Sequence, residues 1–258
     1  MTTSSWSMSA TERGPLEHGL IPDWPAPARV RALQTTRAGG VSAAPYDGFN
    51  LGDHVGDDPA AVAANRAALA AALPATPLWL TQVHGTTVLD AGVPQPDPAA
   101  DASVAHGPGT VCAIMTADCL PVLLCNDQGT VVGAAHAGWR GLCAGVLEAT
   151  VAAMQVPGDT LMAWLGPTIG RDAFEVGTDV RDAFIARDAN AAAAFRPGRR
   201  DGKYWADIEL LARQRLAAAG VSRVYGGGLC TVSDATRWYS YRRDRTTGRM
   251  ASLIWLQD

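Results

Sequence analysis

Apolar runs of strand length, each ending at glycine or polar residues, recur along most of the chain. TVCAIMTA (110–117), PVLLCN (121–126) and TVVGAAHAG (130–138) have the length and composition of buried strands. Turn-forming residues at 126–129 separate the last two, which predicts a hairpin. By the same criteria, strands are predicted within 28–42, 77–92, 161–170 and 223–230, and a second hairpin at 238–256 with its turn near 246–248.

Helices are predicted between these strands. The alanine-rich segment 57–73 has Asp57 or Asp58 as a capping residue and Pro59 in its first turn. Segment 206–220 has Asp207 as a cap and Gly220 as a C-terminal stop. Two further helices are predicted at 142–154 and 178–188.

This order of elements predicts an α+β fold, with helices packed outside one or two mostly antiparallel sheets. Residues 1–20 are rich in serine and threonine and are predicted to form a disordered tail. Residues 21–258 are then predicted to form a single catalytic domain.

Composition and charge restrict the partners. The formal net charge is -4, so no overall positive field attracts nucleic acid or anionic membrane, and we expect neither as a partner. The odd number of cysteines, five, favours reduced thiols over a disulfide framework. The N-terminal segment lacks the features of a secretory signal, and no apolar run is long enough to span a membrane. We therefore expect a monomeric cytoplasmic protein that acts on a small molecule.

Three residues with metal-binding side chains lie where predicted strands end: His84, Cys119 and His136. Three nitrogen or sulfur ligands with no obvious fourth are typical of a catalytic zinc site, which leaves one position for water or substrate. Two histidines and one cysteine also suit a blue-copper site with a weak axial ligand such as Met115. Residue types alone do not distinguish zinc from copper.

The histidine count bears on a multicopper oxidase. The chain has five histidines, so only His18, His54 and His106 remain outside the predicted site. Three histidines are too few to hold three additional copper ions mainly through imidazole groups. A true multicopper oxidase is therefore disfavoured.

The same residues permit a metal-free interpretation. Cys119 is a candidate nucleophile with His136 as its base, and backbone N–H groups of a nearby glycine-rich turn would hold the oxyanion. Alternatively, Cys119 is only a small buried apolar residue. Asp118 is costly to bury without a partner, so it is a candidate to orient a ligand histidine, to act as a general base or to cap a turn.

Arginines beside glycine-rich loops are candidate anion-binding residues. Arg140 in HAGWRG and Arg37 in TTRAGGVS offer guanidinium groups next to backbone donors. Arg242 and Arg243 would face opposite sides of a strand, so at most one of them points into any one site. The alternative is that these arginines are solvated or paired on the surface.

Taken together, the motifs resemble the bacterial YfiH/laccase-domain family. The resemblance runs in order from about residue 33 to residue 256, and its many motifs make it specific. They are TTRAGGVS, NLGDHVGDDPAAVAANR, WLTQVHG, MTADCLPVLLC, HAGWRG, GPTIG with FEVG, and SYRRDRTTGRMASLIWL.

The resemblance implies a β-sandwich flanked by helices, in α-β-β-α order and related to deamidating toxins with a Cys–His pair. It implies a metal site at His84, Cys119 and His136, holding Zn²⁺ with Cu²⁺ as an alternative. The implied activity is phosphorolysis of adenosine, inosine, guanosine and methylthioadenosine, with deamination of adenosine. Alternatives are editing of peptidoglycan precursors and copper-dependent oxidation of polyphenols.

Residue roles follow from the motifs and the implied activity. We assign Asp118, Cys119 and His136 to catalysis. Arg37, Arg140 and Arg242 are assigned to the binding of the purine nucleoside and phosphate.

Overall fold

The structure, a computed structural model, describes residues 15–258. Within that range it has twelve strands and six α-helices. The strands are Val30–Gln34 (β1), Val88–Asp90 (β2), Ala102–Ala105 (β3), Val111–Thr116 (β4), Leu120–Asn126 (β5), Val132–Ala137 (β6), Leu161–Leu165 (β7), Glu175–Gly177 (β8), Phe195–Pro197 (β9), Lys203–Ala206 (β10), Arg223–Gly226 (β11) and Met250–Leu256 (β12). The helices are Pro59–Ala70 (α1), Trp139–Ala144 (α2), Val146–Ala153 (α3), Thr178–Arg187 (α4), Ile208–Ala218 (α5) and Tyr241–Asp244 (α6).

Two sheets lie face to face. The smaller has the order β1-β12-β4, and the larger has the order β11-β7-β5-β6-β3-β2. Only the β11–β7 and β2–β3 pairings are parallel in these two sheets. The space between the sheets is filled by apolar side chains from both, among them Ile114, Ile254, Leu123 and Trp164. The burial of these apolar side chains away from water stabilises the sandwich.

Helices cover both outer faces. Leu69 of α1 packs with Leu33 and Trp255 on the outer face of the smaller sheet. Helices α2 to α5 pack on the outer face of the larger sheet, with Leu147 and Leu211 in its core. The predicted α-β-β-α arrangement of mostly antiparallel sheets is therefore confirmed. A third sheet, in the order β8-β10-β9, was not predicted.

Local sequence signals identified most of the elements. The Asp58 side chain accepts a hydrogen bond from the backbone N–H of Ala60, and that of Asp207 accepts one from Leu210, as predicted for helix caps. Strands β5 and β6 pair antiparallel in the predicted hairpin. The helix predicted at 142–154 is divided into α2 and α3 at Gly145, whose φ is 112°.

The second predicted hairpin, 238–256, was wrong in its first half. Residues 241–244 form the single-turn helix α6, and only β12 is a strand. The Ser240 hydroxyl accepts a hydrogen bond from the N–H of Arg243, and the Asp118 carboxylate accepts one from the N–H of Arg242. Because these side chains replace ladder partners, the segment is helical, and the predicted opposite facing of Arg242 and Arg243 does not apply.

The strand predicted within 77–92 is mostly absent. Its only regular strand is β2, with isolated bridges at Leu78 and Thr81. Between them, the N–H groups of Val83, His84 and Gly85 donate to the carboxylate of Asp101 rather than to a neighbouring strand.

The structure describes only part of the predicted N-terminal tail. Of the predicted tail 1–20, residues 1–14 lie outside the described part of the chain, whereas 15–18 form a 3-10 helix and Leu20 pairs with Gln34. The predicted extent of the domain stays a prediction.

Among the described helices, none has the length and apolar character needed to cross a membrane.

Candidate metal centre and its cleft

The three predicted ligands meet at one end of the sandwich. His84 lies in the loop before β2, Cys119 between β4 and β5, and His136 near the end of β6. One ligand atom from each lies within 4.8 Å of the others, and the His84 Nε2 to Cys119 Sγ distance is 3.8 Å. His136 is buried, Cys119 half-buried and His84 exposed, so the cluster opens to solvent on one side.

Asp101 holds two of these ligands in place. Its carboxylate lies 2.8 Å from His136 Nδ1 and accepts hydrogen bonds from the N–H groups of Val83, His84 and Gly85. The backbone N–H of His136 also donates to the Asp101 carbonyl at 2.7 Å. With Nδ1 facing Asp101, the remaining ring nitrogen of His136 is directed to the cluster. A carboxylate behind a ligand histidine fixes both its tautomer and its orientation.

Two glycines of HAGWRG permit close packing around the cluster. A Cβ atom at position 138 would lie 2.8 Å from His84 Cδ2 and 3.0 Å from Cys119 Sγ. A Cβ atom at position 141 would lie 2.8 Å from the Gly85 carbonyl oxygen. These two glycines therefore allow the start of α2 to lie directly against the ligand residues.

The donor set and spacing fit a metal ion. Nitrogen and sulfur donors about 2.0–2.3 Å from a tetrahedral zinc ion lie about 3.3–3.6 Å apart, close to the separation observed between His84 and Cys119. Three ligands leave one coordination position for water or substrate. The cluster can therefore hold a metal, and the same donors also suit copper.

The cluster separates charge between Cys119 and His136. Burial acts to raise the pKa of the Cys119 thiol, but the adjacent His136 charge and hydrogen bonds from His136 and His84 lower it to about 6. Burial acts to lower the pKa of His136, but the Cys119 thiolate and the Asp101 hydrogen bond raise it to about 9. In the metal-free protein near neutral pH, the pair is therefore a thiolate beside an imidazolium. A metal ion would bind the thiolate and displace the proton from His136.

The cluster lies in a cleft with a volume of about 490 Å³. This is within the usual range of about 300–1,000 Å³ for small-molecule sites. Trp139, Phe174 and Tyr241 contribute aromatic rings to its lining. Tyr241 is half-exposed, with 51% of its surface accessible, so a ring is available at the mouth of the cleft.

Asp118 lines this cleft and connects three segments. One carboxylate oxygen accepts a hydrogen bond from the Thr231 hydroxyl at 2.6 Å, and the other accepts one from the backbone N–H of Arg242 at 2.6 Å. Its carbonyl oxygen accepts from the Thr168 hydroxyl and from the N–H of Ile169. The anchoring of Asp118 fits the predicted capping role. Its assignment as an acid or base stays a prediction.

The three predicted substrate-binding arginines have different surroundings. Arg140 and Arg242 line the cleft, whereas Arg37 does not. The Arg37 guanidinium is 3.1 Å from the carboxylate of Asp47 and donates to the carbonyl of Ala235. Arg37 therefore stabilises the loop around residues 37–48. Its guanidinium already donates hydrogen bonds to Asp47 and Ala235.

The family model described as "Multi-copper polyphenol oxidoreductase laccase" matches residues 31–257. The chain belongs to this family. A purine nucleoside phosphorylase of Pseudomonas aeruginosa is 62% identical over 243 residues, which cover 93% of this chain and 98% of that protein. The Escherichia coli purine nucleoside phosphorylase YfiH is 58% identical, over 92% of this chain and 98% of that protein.

Solved structures of this laccase-like family have the same fold. A Neisseria meningitidis protein of the family matches with a TM-score of 0.90 and 53% identity, over 93% of this chain and all of that chain. YlmD from Geobacillus stearothermophilus matches with a TM-score of 0.80 and 30% identity, over 91% of this chain and 94% of that chain.

The laccase-like site includes residues that sequence reasoning missed. Asp101 was not predicted as a site residue, although its position directly before the small residues 102–105 is a signal that its carboxylate is buried. Arg249, Thr116 and Gln82 also line the cleft. Arg249 lies in the motif SYRRDRTTGRMASLIWL but was not predicted as a site residue. It directly follows the turn predicted near 246–248, and that prediction does not show where its side chain points.

In the metal-free protein, we expect the rate at which Cys119 reacts with iodoacetamide to reach half of its maximum near pH 6. Thiolate forms as pH rises through the pKa, so the rate should level off above pH 7. The measurement is the alkylation rate against pH by mass spectrometry, in a Cys230→Ser background. That background is needed because hydrogen bonds from Ser233 and Gly170 outweigh burial and lower the pKa of Cys230 as well.

Two internal references accompany this experiment. Burial raises the pKa of Cys112 and Cys125 to about 12, so neither should react under the same conditions. His136→Gln should move the Cys119 midpoint upwards, because it removes the positive charge beside the thiolate. A midpoint near 9 in the parent protein would contradict the charge separation.

Proposed function

We propose that the protein is a zinc-dependent purine nucleoside phosphorylase that also deaminates adenosine. Its proposed phosphorolysis substrates are adenosine, inosine, guanosine and methylthioadenosine. The observation that carries the proposal is the His84, Cys119 and His136 cluster, open to a cleft that contains aromatic rings and arginines. Two relatives more than half identical along nearly their whole lengths carry the name purine nucleoside phosphorylase, which supports it.

The zinc would be held by His84, Cys119 and His136. When bound, zinc supplies a Lewis acid that polarises an oxygen atom of substrate or water. Asp101 keeps His136 in the tautomer that presents its other ring nitrogen to the ion. The Asp101 hydrogen bonds to residues 83–85 hold the His84 loop at the distance that the ligand set requires.

Phosphorolysis requires the site to bind phosphate, to stabilise positive charge on the sugar and to protonate or polarise the purine. An oxygen of phosphate forms a bond to ribose C1′, the glycosidic bond breaks, and its electron pair leaves with the purine, which takes up a proton. The cleft offers Trp139, Phe174 and Tyr241 as surfaces for the purine. Arginines at its wall offset the charge of phosphate.

Deamination uses the same cleft. The oxygen of a water molecule forms a bond to purine C6, and the amino group leaves as ammonia after gaining a proton. Asp118 is the one carboxylate among the residues that line the cleft, so it is our candidate to move that proton. Its two hydrogen bonds from Thr231 and Arg242 hold it in a single position.

A metal assay paired with a nucleoside panel tests the proposal. We expect about one zinc per chain in protein purified without chelator. We also expect release of hypoxanthine from inosine only when phosphate is present, and conversion of adenosine to inosine in its absence. Fully zinc-loaded protein that turns over no nucleoside would refute the proposal. Because copper binds such donors more tightly than zinc, weak phenol oxidation with added copper is expected as a side reaction that copper removal abolishes.

A second candidate is a thiol hydrolase that edits peptidoglycan precursors. The observation that favours it is the alignment of Cys119, His136 and Asp101, a nucleophile, base and orienting carboxylate. The Cys119 sulfur would attack the substrate carbonyl and expel the amine. Water would then hydrolyse the resulting thioester, which releases the carboxylate and restores the thiol. Hydrolysis of a muropeptide precursor by chelator-treated protein would favour this candidate. If removal of the metal abolishes all hydrolysis, a metal-free thiol mechanism is excluded.

A further inference from the structure

Phosphate must be held by cationic side chains whose donors are free. Three arginines line the cleft, Arg140, Arg242 and Arg249, against the single carboxylate of Asp118. Both oxygens of that carboxylate already accept hydrogen bonds. The wall of the cleft therefore has an excess of positive charge, which favours an anionic ligand.

Arg249 is fixed in the wall by the NLGD segment, residues 50–53. Its backbone N–H donates to the Asn50 side chain at 2.8 Å. Its aliphatic stem lies against Gly52, where a Cβ atom would come within 2.7 Å of Arg249 Cγ. Only glycine at position 52 leaves space for the arginine in this position, so the segment serves to place Arg249.

The Arg249 guanidinium is only partly satisfied. One terminal nitrogen, Nη1, donates to the carbonyls of Thr247 and Gly248, each at 3.0 Å. Within residues 15–258, Nε and Nη2 have no hydrogen-bond partner, and no carboxylate lies within ion-pair distance. Burial lowers the pKa of Arg249, opposed by the nearby charges of Cys119 and Asp118. A half-buried guanidinium without a counterion is a ready binding group for an oxyanion.

The other arginines of the cleft are less suited. Like Arg249, Arg242 uses only Nη1, which donates to the carbonyls of Ala173 and Glu175, but its guanidinium also lies over the Phe174 ring. Arg140 is exposed and stacks on the ring of Trp139 at 4.4 Å. An exposed arginine contributes less to binding because water screens its charge.

Thr116 provides an independent observation in the same wall. It is only 2% exposed and lines the cleft, yet its hydroxyl has no hydrogen-bond partner within the described residues. An unpaired buried hydroxyl costs free energy that a ligand can recover. Thr116 pairs across β4 and β12 with Met250, the chain neighbour of Arg249, so Thr116 and Arg249 lie at the same end of the smaller sheet.

We propose that Arg249, together with the hydroxyl of Thr116, binds the phosphate that attacks the nucleoside. The proposal rests on the phosphorylase function proposed above. The guanidinium donates from Nε and Nη2 to two phosphate oxygens, and the threonine hydroxyl donates to a third acceptor. Deamination of adenosine needs no phosphate, so it depends less on this subsite than phosphorolysis does.

The test compares Arg249→Gln with the parent zinc-loaded enzyme. A charged hydrogen bond contributes about 1.5–3 kcal/mol, so we expect the KM for phosphate in inosine phosphorolysis to rise about 10- to 100-fold. The KM for inosine should stay within about twofold. Adenosine deamination should fall by a smaller factor than the rise in the KM for phosphate, because only phosphorolysis uses the phosphate subsite. Arg249→Lys keeps the charge but loses the planar fork, so its KM for phosphate should be intermediate. Thr116→Val, which keeps the shape of the side chain, should raise it several-fold.

Arg200→Gln is the matched control, because it removes the same charge from an exposed residue outside the cleft. It should leave the KM for phosphate unchanged. The proposal is overturned if Arg249→Gln leaves that KM unchanged, if it impairs deamination equally, or if Arg140→Gln or Arg242→Gln raises the KM more.

Direct binding separates this proposal from the phosphorylase function. Titration of inorganic phosphate into the zinc-loaded protein, followed by calorimetry, should show binding that Arg249→Gln weakens at least about 10-fold. If no nucleoside is turned over but this loss is observed, the phosphorylase function fails and the anion subsite stands. If the parent protein binds no phosphate, or both proteins bind it equally, the subsite is refuted.

Discussion

Replacement of Cys119 by alanine is expected to abolish both metal binding and activity. It removes the only sulfur of the three-ligand cluster, and the two remaining histidines cannot hold a catalytic zinc alone. Loss of an outer partner of a metal ligand already costs about 10- to 100-fold, so loss of a ligand should lower turnover by more than about 100-fold. Metal content by mass spectrometry and inosine phosphorolysis measure the two effects.

Cys230→Ser is the matched control for this substitution. Cys230 is also half-buried and lies outside the residues that line the cleft. Serine can still accept the hydrogen bond from the backbone N–H of Gly170. We expect this variant to keep its metal and its activity. Full activity in metal-depleted Cys119→Ala would remove both Cys119 and the metal from the mechanism.

Asp101→Asn is expected to cause the largest loss of stability in the site. The carboxylate of Asp101 is completely buried and accepts hydrogen bonds from three backbone N–H groups, besides contacting His136 Nδ1. An asparagine must turn an NH₂ group towards some of these donors. Breaking a buried charged pair costs about 3–5 kcal/mol, and we expect that loss in the free energy of unfolding. Zinc affinity should also fall about 10- to 100-fold.

The pH dependence of this effect has a definite sign. Burial acts to raise the pKa of Asp101, but the hydrogen bonds from His136 and Gly85 and the charge of His136 keep it below its ordinary value of 3.8. The stability that the carboxylate contributes is therefore fully present above pH 3.8 and is lost as pH falls through the lower folded-state pKa. The difference between the parent and Asp101→Asn should persist at pH 7 and shrink in strong acid.

Urea unfolding of the metal-free proteins at several pH values provides this measurement. Asp97→Asn is the matched control, since Asp97 is exposed in the same loop and accepts only a local hydrogen bond from Ala99. It should change the free energy of unfolding by less than about 0.5 kcal/mol. An equally small change for Asp101→Asn would show that the carboxylate does not hold the site together.

Predictions from sequence were most accurate where the responsible interactions are local. The caps at Asp58 and Asp207 bind N–H groups two and three residues away, and the β5–β6 hairpin closes over a short turn. Such contacts depend on neighbouring residues alone, so residue order predicts them. The segment 241–244 failed for the opposite reason, since the N–H of Arg242 binds Asp118, 124 residues away.

The sequence by itself determined the layered α+β class, because the periodicity of apolar residues follows from the geometry of strands and helices. Residue types at predicted strand ends made His84, Cys119 and His136 candidates, and the family resemblance favoured a metal site among the alternatives. Only the tertiary structure decided which side chains support and complete the site. Asp101 behind His136, Arg249 against Gly52, and Arg37 held away by Asp47 all depend on contacts between distant segments. Burial and hydrogen-bond partners arise only when the sheets close, and no local pattern encodes them.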